Sequence, residues 1–434
     1  MADSSTERIE YILNILCRDI GVRLAGSDAD RRTIEFVRTE MAAAGAAVTV
    51  EEFPAYERRV EEEKLEIFAG ESWQTFGCSL FSSTPGTEGR PVEAPLVFFA
   101  SPTDYKRRDL SHLTGKAVVH LGCHIESREQ YRRLITARPA FLLMTDIRYP
   151  GAAPLADGMF PSYARDIGTV PTVNVAYQDA WRWKTQGAQR ARLLVRGGMH
   201  DSSSGNVIAE LAGKDSLSEI LYVGGHHDTQ AGSPGADDNA SGTAAVIELT
   251  RLLAKQAPFR RTIRLISFGA EEQLSVGSAD YVRRHRSELS TQSGFMQNFD
   301  SFGSHLGWFE LTANGSPEMA EYLIKFYENH DLFMRLTTDT VPYADHFPFV
   351  AAGIPGAYIG RSNCTAGRFF HHRFDDDIER VSPALMAEVI GASAELLADL
   401  AARETLPFPP SIPKQQSAKI EQIWNDLFGG WSQT

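Results

Sequence analysis

Five short segments carry side chains that bind divalent cations: His226-His227-Asp228, Asp237-Asp238, Glu271-Glu272, Asp300 and His371-His372. Imidazole and carboxylate are the ligands that zinc and related metals take near neutral pH. Two cations held about 3.5–4 Å apart, the spacing of a co-catalytic pair, need a carboxylate shared between them to screen their repulsion. Neighbouring residues of an extended backbone point to opposite sides. One member of Glu271-Glu272 can therefore bind metal while the other faces a water as a base. Burying this many acids without cations would be costly, and a metal centre removes the difficulty. Taken singly, each segment has a blander reading. A His-x-Asp is usually structural, Asp237-Asp238-Asn239 could cap a helix, and Glu271-Glu272 alone would be a solvated pair. Together and in this order they point to a metal site.

The elements that must hold these residues alternate. From Asn206 onward the pattern predicts a strand at Ile220–Gly224, a helix from Asn239 to Ala254, and a strand at Thr262–Gly269. A helix over Gly277–Ser287 follows, then strands at Gly294–Asp300, Trp308–Ala313 and Ile354–Gly360, and a closing helix over Pro383–Ala401. His226-His227-Asp228, Glu271-Glu272 and Asp300 sit at or just after strand ends, where open α/β sheets place their sites, while Asp237-Asp238 follows a loop and His371-His372 comes late in the chain. The reading is an α/β fold, with a mostly parallel twisted central sheet flanked by helices on both faces.

Upstream, Ile9, Ile12, Leu13 and Ile15-Leu16 recur at helical spacing. Ser27 to Asp30 offers N-cap chemistry for a helix over Arg31–Ala43. Val48–Val50 and Leu65–Phe68 read as strands. Short apolar runs at 97–99, 116–121, 140–144 and 170–175, with a helix around Glu129–Ala137, predict an inserted smaller β-rich domain. Gly151–Gly168 reads as an ordered surface loop. The expected division is 1–81 (N-terminal part of the catalytic domain), 82–196 (insert), 197–403 (catalytic domain) and 404–434 (a tail with a short helix near Ile420–Leu427). The tail packs back on the body or on a second copy, which leaves a homo-oligomer open.

Composition excludes several classes. The chain has 434 residues, too many for one ordinary core. With 43% hydrophobic and 23% charged residues it reads as a soluble globular protein. No apolar run reaches the roughly 18 residues of a membrane span, and Met1–Glu7 shows no signal peptide, so a cytoplasmic protein is expected. A net charge of −13 argues against nucleic acid as a partner. Cys17, Cys78, Cys123 and Cys364 lie too far apart in sequence for a CxxC zinc site.

The ordered set His226-His227-Asp228, Gly235 to Gly242, Glu271-Glu272-Gln273 with Gly277-Ser278, and Asp345-His346 resembles the dizinc aminopeptidases of metallopeptidase family twenty-eight. The resemblance covers about Ile9 to Ala401 and implies a zinc-dependent exopeptidase fold with two zinc ions per chain. One zinc would take His226, Asp238 and Asp300, the other Asp238, Glu272 and His372, with Asp238 as the bridge. His372 is preferred over His371 because the family's Asp and Pro recur four and eleven residues on, at Asp376 and Pro383. Glu271 would be the general base and Asp228 would orient His226. The substrate would be a peptide or small amide, attacked by a water that the metal pair acidifies. The insert resembles a protease-associated domain through 113–119 and 170–173.

Other residues carry weaker expectations. His346 lies near the site without binding metal, His227 is a neighbour of the ligands, and His120, His124 and His200 are surface or packing residues. Arg361 and Arg368 are either solvated charges or anchors for a substrate carboxylate. The anchor reading would move the activity to carboxypeptidase or N-acyl amino acid hydrolase. A glutaminyl cyclase and a metal-free receptor-like scaffold are further alternatives. One departure stands out: Leu274-Ser275 occupies the place where the family commonly has Gly-Leu, which bears on substrate preference.

Overall fold

The computed structural model describes residues 6–431 except 102, 123, 124, 126, 150, 216–218 and 365–367. His124 and Cys123 therefore lie outside the described residues. The chain forms two compact units.

The first unit comprises Met1–Ala55, Ser202–Thr229 and Ser233–Asn425. Its sheet runs, from one edge, Met334–Thr337, Trp308–Asn314, Gly356–Ser362, Ser293–Phe299, Ile220–His226, Ile263–Phe268 and then residues 207–211 of the Arg190–Leu211 strand. The three inner pairings, and the one at the Met334–Thr337 edge, are parallel. The other two are antiparallel. A strand buried on both faces reads as a continuous apolar run, and Ile220–His226 is buried at every position.

Alternation along that strand explains the layers. Leu221 and Val223 join a core with Ile9 and Ile12 of the Thr6–Asn14 helix, Ala244 and Ile247 of Ser241–Ala254, and Ile390 and Leu397 of Pro383–Ala402. Tyr222 points the other way, with ring centroids 5.1 Å from Phe349 and 6.4 Å from Tyr281. Those two rings come from the helices His346–Ala351 and Val276–Arg284. Helices thus cover both faces, as expected. Caps follow the sequence logic: Ser27 accepts from the Asp30 amide and Ser382 from the Leu385 amide, with Pro383 at the first helical position.

The second unit comprises Tyr56–Asp201, Gln230–Gly232 and Asp426–Thr434. Val92–Ala100, Ala117–Leu121, Phe141–Thr145 and Thr172–Val175 are parallel neighbours, and Cys78–Leu80 adds an antiparallel edge. Its core gathers Val119, Leu143, Val173 and Trp183.

Several local expectations differ from the structure. Val48–Val50 and Leu65–Phe68 fall in one 23-residue strand, Ala47–Ala69. The loop expected over Gly151–Gly168 contains a helix, Pro161–Ile167, started by a proline at its first turn. Tyr177–Thr185 and Pro317–Glu328 are helices that the periodicity did not single out. Among the described residues no helix is long and apolar enough to cross a membrane.

Candidate metal centre

The carboxyl ends of three parallel strands deliver the site. His226 is the last residue of Ile220–His226, Glu271-Glu272 follows Ile263–Phe268 by two residues, and Asp300 directly follows Ser293–Phe299. Asp237 and Asp238 lie in the turn before the Ser241–Ala254 helix. The start of that helix sits directly on the strand that ends at Asp300. A Cβ on Gly242 would lie 2.2 Å from the Phe299 carbonyl oxygen.

These segments converge. His226 Nε2 lies 3.2 Å from Asp238 Oδ1, 3.8 Å from Glu271 Oε2 and 3.9 Å from Asp300 Oδ1. On the other side of Asp238, Oδ2 is 2.8 Å from His371 Nδ1 and 3.6 Å from His372 Nε2. His372 Nε2 is also 2.9 Å from Glu272 Oε2. Two clusters of ligand atoms, each within 4.8 Å, result: His226, Asp238 and Asp300, and Asp238, His371 and His372. Asp238 is common to both.

Carboxylates that face away from the clusters hold the turns. Asp228 accepts the Glu271 amide at 3.0 Å on one oxygen and the Glu272 amide at 3.2 Å on the other. Its Oδ1 is also 3.4 Å from His226 Nδ1. Asp376 accepts the Asp237 and Asp238 amides at 2.9 and 3.0 Å, and its carbonyl oxygen accepts the Ala236 amide at 3.1 Å. Asp237 turns its side chain to the Gly303 amide, 2.8 Å away. Arg23, fully buried, donates to the carbonyls of Leu16, Gly21, His227, Pro234 and Gly235. Ala270, Leu274, Ser275, Ser301 and His372 all have positive φ, a concentration of backbone strain of the kind found at functional sites.

The electrostatics are those of too many acids and too few cations. Burial pushes Glu272 and Asp345 up to about 7, with His372 and His226 respectively opposing. Burial raises Glu271 well above the carboxylate range, against His226, and Asp345, Asp300 and Glu272 add to the rise. Burial also opposes the charge of Asp238, yet Arg368, His226 and His371 hold it well below that range. Arg368 reaches into the cluster, 3.6 Å from Asp300 Oδ1 and 3.7 Å from Asp238 Oδ2, and donates to the Tyr358 hydroxyl at 3.0 Å.

Imidazole nitrogens and carboxylate oxygens form the donor set zinc takes. The buried His226 Nε2 has no hydrogen-bond partner among the described residues although three carboxylates face it. The residues therefore fit a pair of divalent cations that share Asp238.

All seven residues expected to form the centre come together: His226, Asp228, Asp238, Glu271, Glu272, Asp300 and His372. Arg368 joins them. Arg361 instead stacks its guanidinium 4.5 Å over the Phe309 ring. His346 is buried against Tyr358, 3.2 Å from Asn314 Oδ1, and burial lowers it to about 3. His227 is 2.9 Å from the Ser267 hydroxyl and 3.3 Å from Asp30 Oδ1, and neither cluster found among the described residues includes it. His120 is a buried packing residue, 3.2 Å from the Tyr105 hydroxyl. His371, passed over in favour of its neighbour, and Asp345, which accepts from the Ser278 hydroxyl at 2.5 Å, also join the site, as does Arg23, which the sequence does not single out. The Asp345-His346 dipeptide was the one signal for Asp345, and nothing in the spacing marks Arg23.

Comparison with known proteins points to a family of peptidases. Residues 206–397 match peptidase family M28. The chain is 24% identical over 423 residues to aminopeptidase YwaD of Bacillus subtilis (strain 168), covering 95% of this chain and 88% of that protein. It is 26% identical over 420 residues to carboxypeptidase Q of Rattus norvegicus, covering 91% and 86%. The solved structure of BSAP, a zinc aminopeptidase from Bacillus subtilis, superposes with a TM-score of 0.75 at 22% identity, covering 95% of this chain and 99% of that one. The fold is therefore shared.

Proposed function

We propose that this chain, whose residues 206–397 match peptidase family M28, is a dizinc aminopeptidase that removes N-terminal residues from peptides. The observation that carries the reading is the shared carboxylate: Asp238 offers one oxygen to His226 and the other to His371 and His372. Zinc would be held by His226, Asp238 and Asp300, and by Asp238, Glu272 and His372. When bound there it supplies the Lewis acidity that acidifies a water and polarises a carbonyl.

The chain's own residues do the rest. Glu271, whose Oε2 faces His226 at 3.8 Å, takes the proton of the attacking water and hands it to the leaving amine. Asp228 fixes the turn that carries Glu271 and Glu272 through their two amides. The acidic surplus of the pocket favours a substrate that presents a free α-ammonium group. Aminopeptidase YwaD and the zinc aminopeptidase BSAP support the same reading.

A carboxypeptidase is the second reading, and Arg368 favours it. Its guanidinium lies within 3.7 Å of Asp238 and Asp300, where a substrate carboxylate could meet it, and carboxypeptidase Q is a relative. The test is zinc content together with hydrolysis of free-amine, N-blocked and C-amidated dipeptides. Two zincs per chain and cleavage confined to free amines support the aminopeptidase. Activity that requires a free carboxylate would move the function to the second reading, and protein without metal or activity would overturn both.

A further inference from the structure

The segment after the base departs from the family pattern at Leu274-Ser275, and the structure gives the second of these residues a task. Ser275 is fully buried, and its hydroxyl donates to Glu271 Oε1 at 3.0 Å. No other hydrogen bond reaches the Glu271 carboxylate among the described residues. The opposite oxygen, Oε2, is the one that faces His226. Ser275 holds this place in a left-handed conformation, φ 46°, ψ 43°. A residue with a side chain is strained there, and glycine adopts the same backbone freely. Its amide donates to the Glu271 carbonyl and its own carbonyl accepts the Ala279 amide at 2.9 Å. The backbone of Ser275 thus does structural work that any residue could do, whereas the hydroxyl does something else. Leucine, which the family commonly carries at this position, has no hydroxyl to donate.

We propose that Ser275 is a positioning residue for the base: its hydroxyl anchors Glu271 Oε1 and leaves Oε2 turned toward His226 and the metal ligands. The inference rests on the reading of Glu271 as general base. It gives the departure a role in chemistry, beyond substrate preference.

The test uses Ser275→Gly and Ser275→Ala in the full-length zinc-loaded protein, with the best free-amine dipeptide of the panel. Glycine removes the hydroxyl while relieving the backbone, so a merely structural serine predicts a harmless or stabilising change. The positioning role predicts that both variants lose about ten-fold in kcat, the worth of a hydrogen bond to a charged group. KM should stay within about two-fold and zinc content should not change. The loss should also vanish in a Glu271→Gln background, because the two residues act on one proton transfer. Wild-type kcat in Ser275→Gly, or a ten-fold loss that persists in the Glu271→Gln background, would overturn the proposal. If Glu271→Gln itself keeps full activity, the base assignment fails and this inference falls with it. An inactive Glu271→Gln beside a fully active Ser275→Gly overturns the Ser275 role alone.

Discussion

Asp376 binds no metal in this reading, yet its removal should cost both stability and metal affinity. Its two side-chain oxygens take the Asp237 and Asp238 amides at 2.9 and 3.0 Å, and Asp237, Asp238 and Asp376 are all buried. Asp376→Ala leaves two buried amides without partners, at about 1–3 kcal/mol each, so about 2–6 kcal/mol of stability should go. Asp376→Asn keeps one acceptor and turns an NH2 toward the other amide, so it should cost about half to all of that. Asp376 lies four residues beyond His372 and grips the backbone of Asp238, so it fixes these two proposed ligands relative to each other. Residues that orient ligands in this way typically contribute about 10–100-fold to metal affinity. Urea unfolding of the metal-free protein reads the first quantity, and zinc competition with a chelator reads the second. If Asp376→Ala unfolds with the wild-type midpoint and binds zinc with wild-type affinity, the clamp argument is wrong.

Three further outcomes are expected. Glu271→Gln should keep both zincs, measured by elemental analysis, and lose about 10²–10⁴-fold in kcat. Arg368→Gln should change kcat/KM equally for free-carboxylate and C-amidated dipeptides; a KM rise of about ten-fold confined to free carboxylates would favour the carboxypeptidase reading. His120, fully buried in the second unit, is lowered by burial to about 4. Its unfolded form binds the extra proton below about 6.5, so it contributes stability above that pH that is lost as pH falls toward about 4. The total is about 3 kcal/mol by linkage, and urea unfolding of His120→Phe across this window should lack that part of the slope.

The catalytic half of the fold was legible because its signals are local. A strand buried on both faces reads as a largely apolar run, and Ile220–His226, buried at every position, opens with Ile220-Leu221-Tyr222-Val223. The ligands were legible for a related reason: His226, Glu272 and Asp300 come at the carboxyl ends of three adjacent parallel strands, in the order Asp300, His226, Glu272 across the sheet. The second unit was less legible. Its helices are short, and Pro161–Ile167 sits in a stretch whose glycines and prolines read as loop. Arg23 was invisible because its partners are backbone carbonyls from Leu16 to Gly235, and a carbonyl carries no sequence signature. The two neighbouring histidines illustrate the limit. The resemblance to the family favours His372, and the structure puts that imidazole 2.9 Å from Glu272, yet His371 lies closer to Asp238. Only the three-dimensional path of a loop with His372 at φ 55° brings both rings to the site.

The acids of the site divide by what they face, and the division explains why they come in adjacent pairs. Asp238, Glu272 and Asp300 point their oxygens at imidazoles. Asp228, Asp237 and Asp376 point theirs at backbone amides of the turns that carry the first set. In Asp237-Asp238 the first residue ties the turn to Gly303 while the second is shared between the two ligand clusters. In Glu271-Glu272 the second meets His372 at 2.9 Å, and the first, held by Ser275, keeps one oxygen toward His226. A pair of this kind converts one turn into two functions. The charge problem that follows, with these carboxyls crowded around Arg368 and three histidines, is relieved on one side by amide hydrogen bonds. On the other side only cations can relieve it. Metal binding and folding should therefore be coupled at this site: zinc added to the metal-free protein should raise its unfolding midpoint in proportion to the logarithm of free zinc. A midpoint indifferent to zinc would mean that Asp238, Glu272 and Asp300 are neutralised by protons and Arg368 alone.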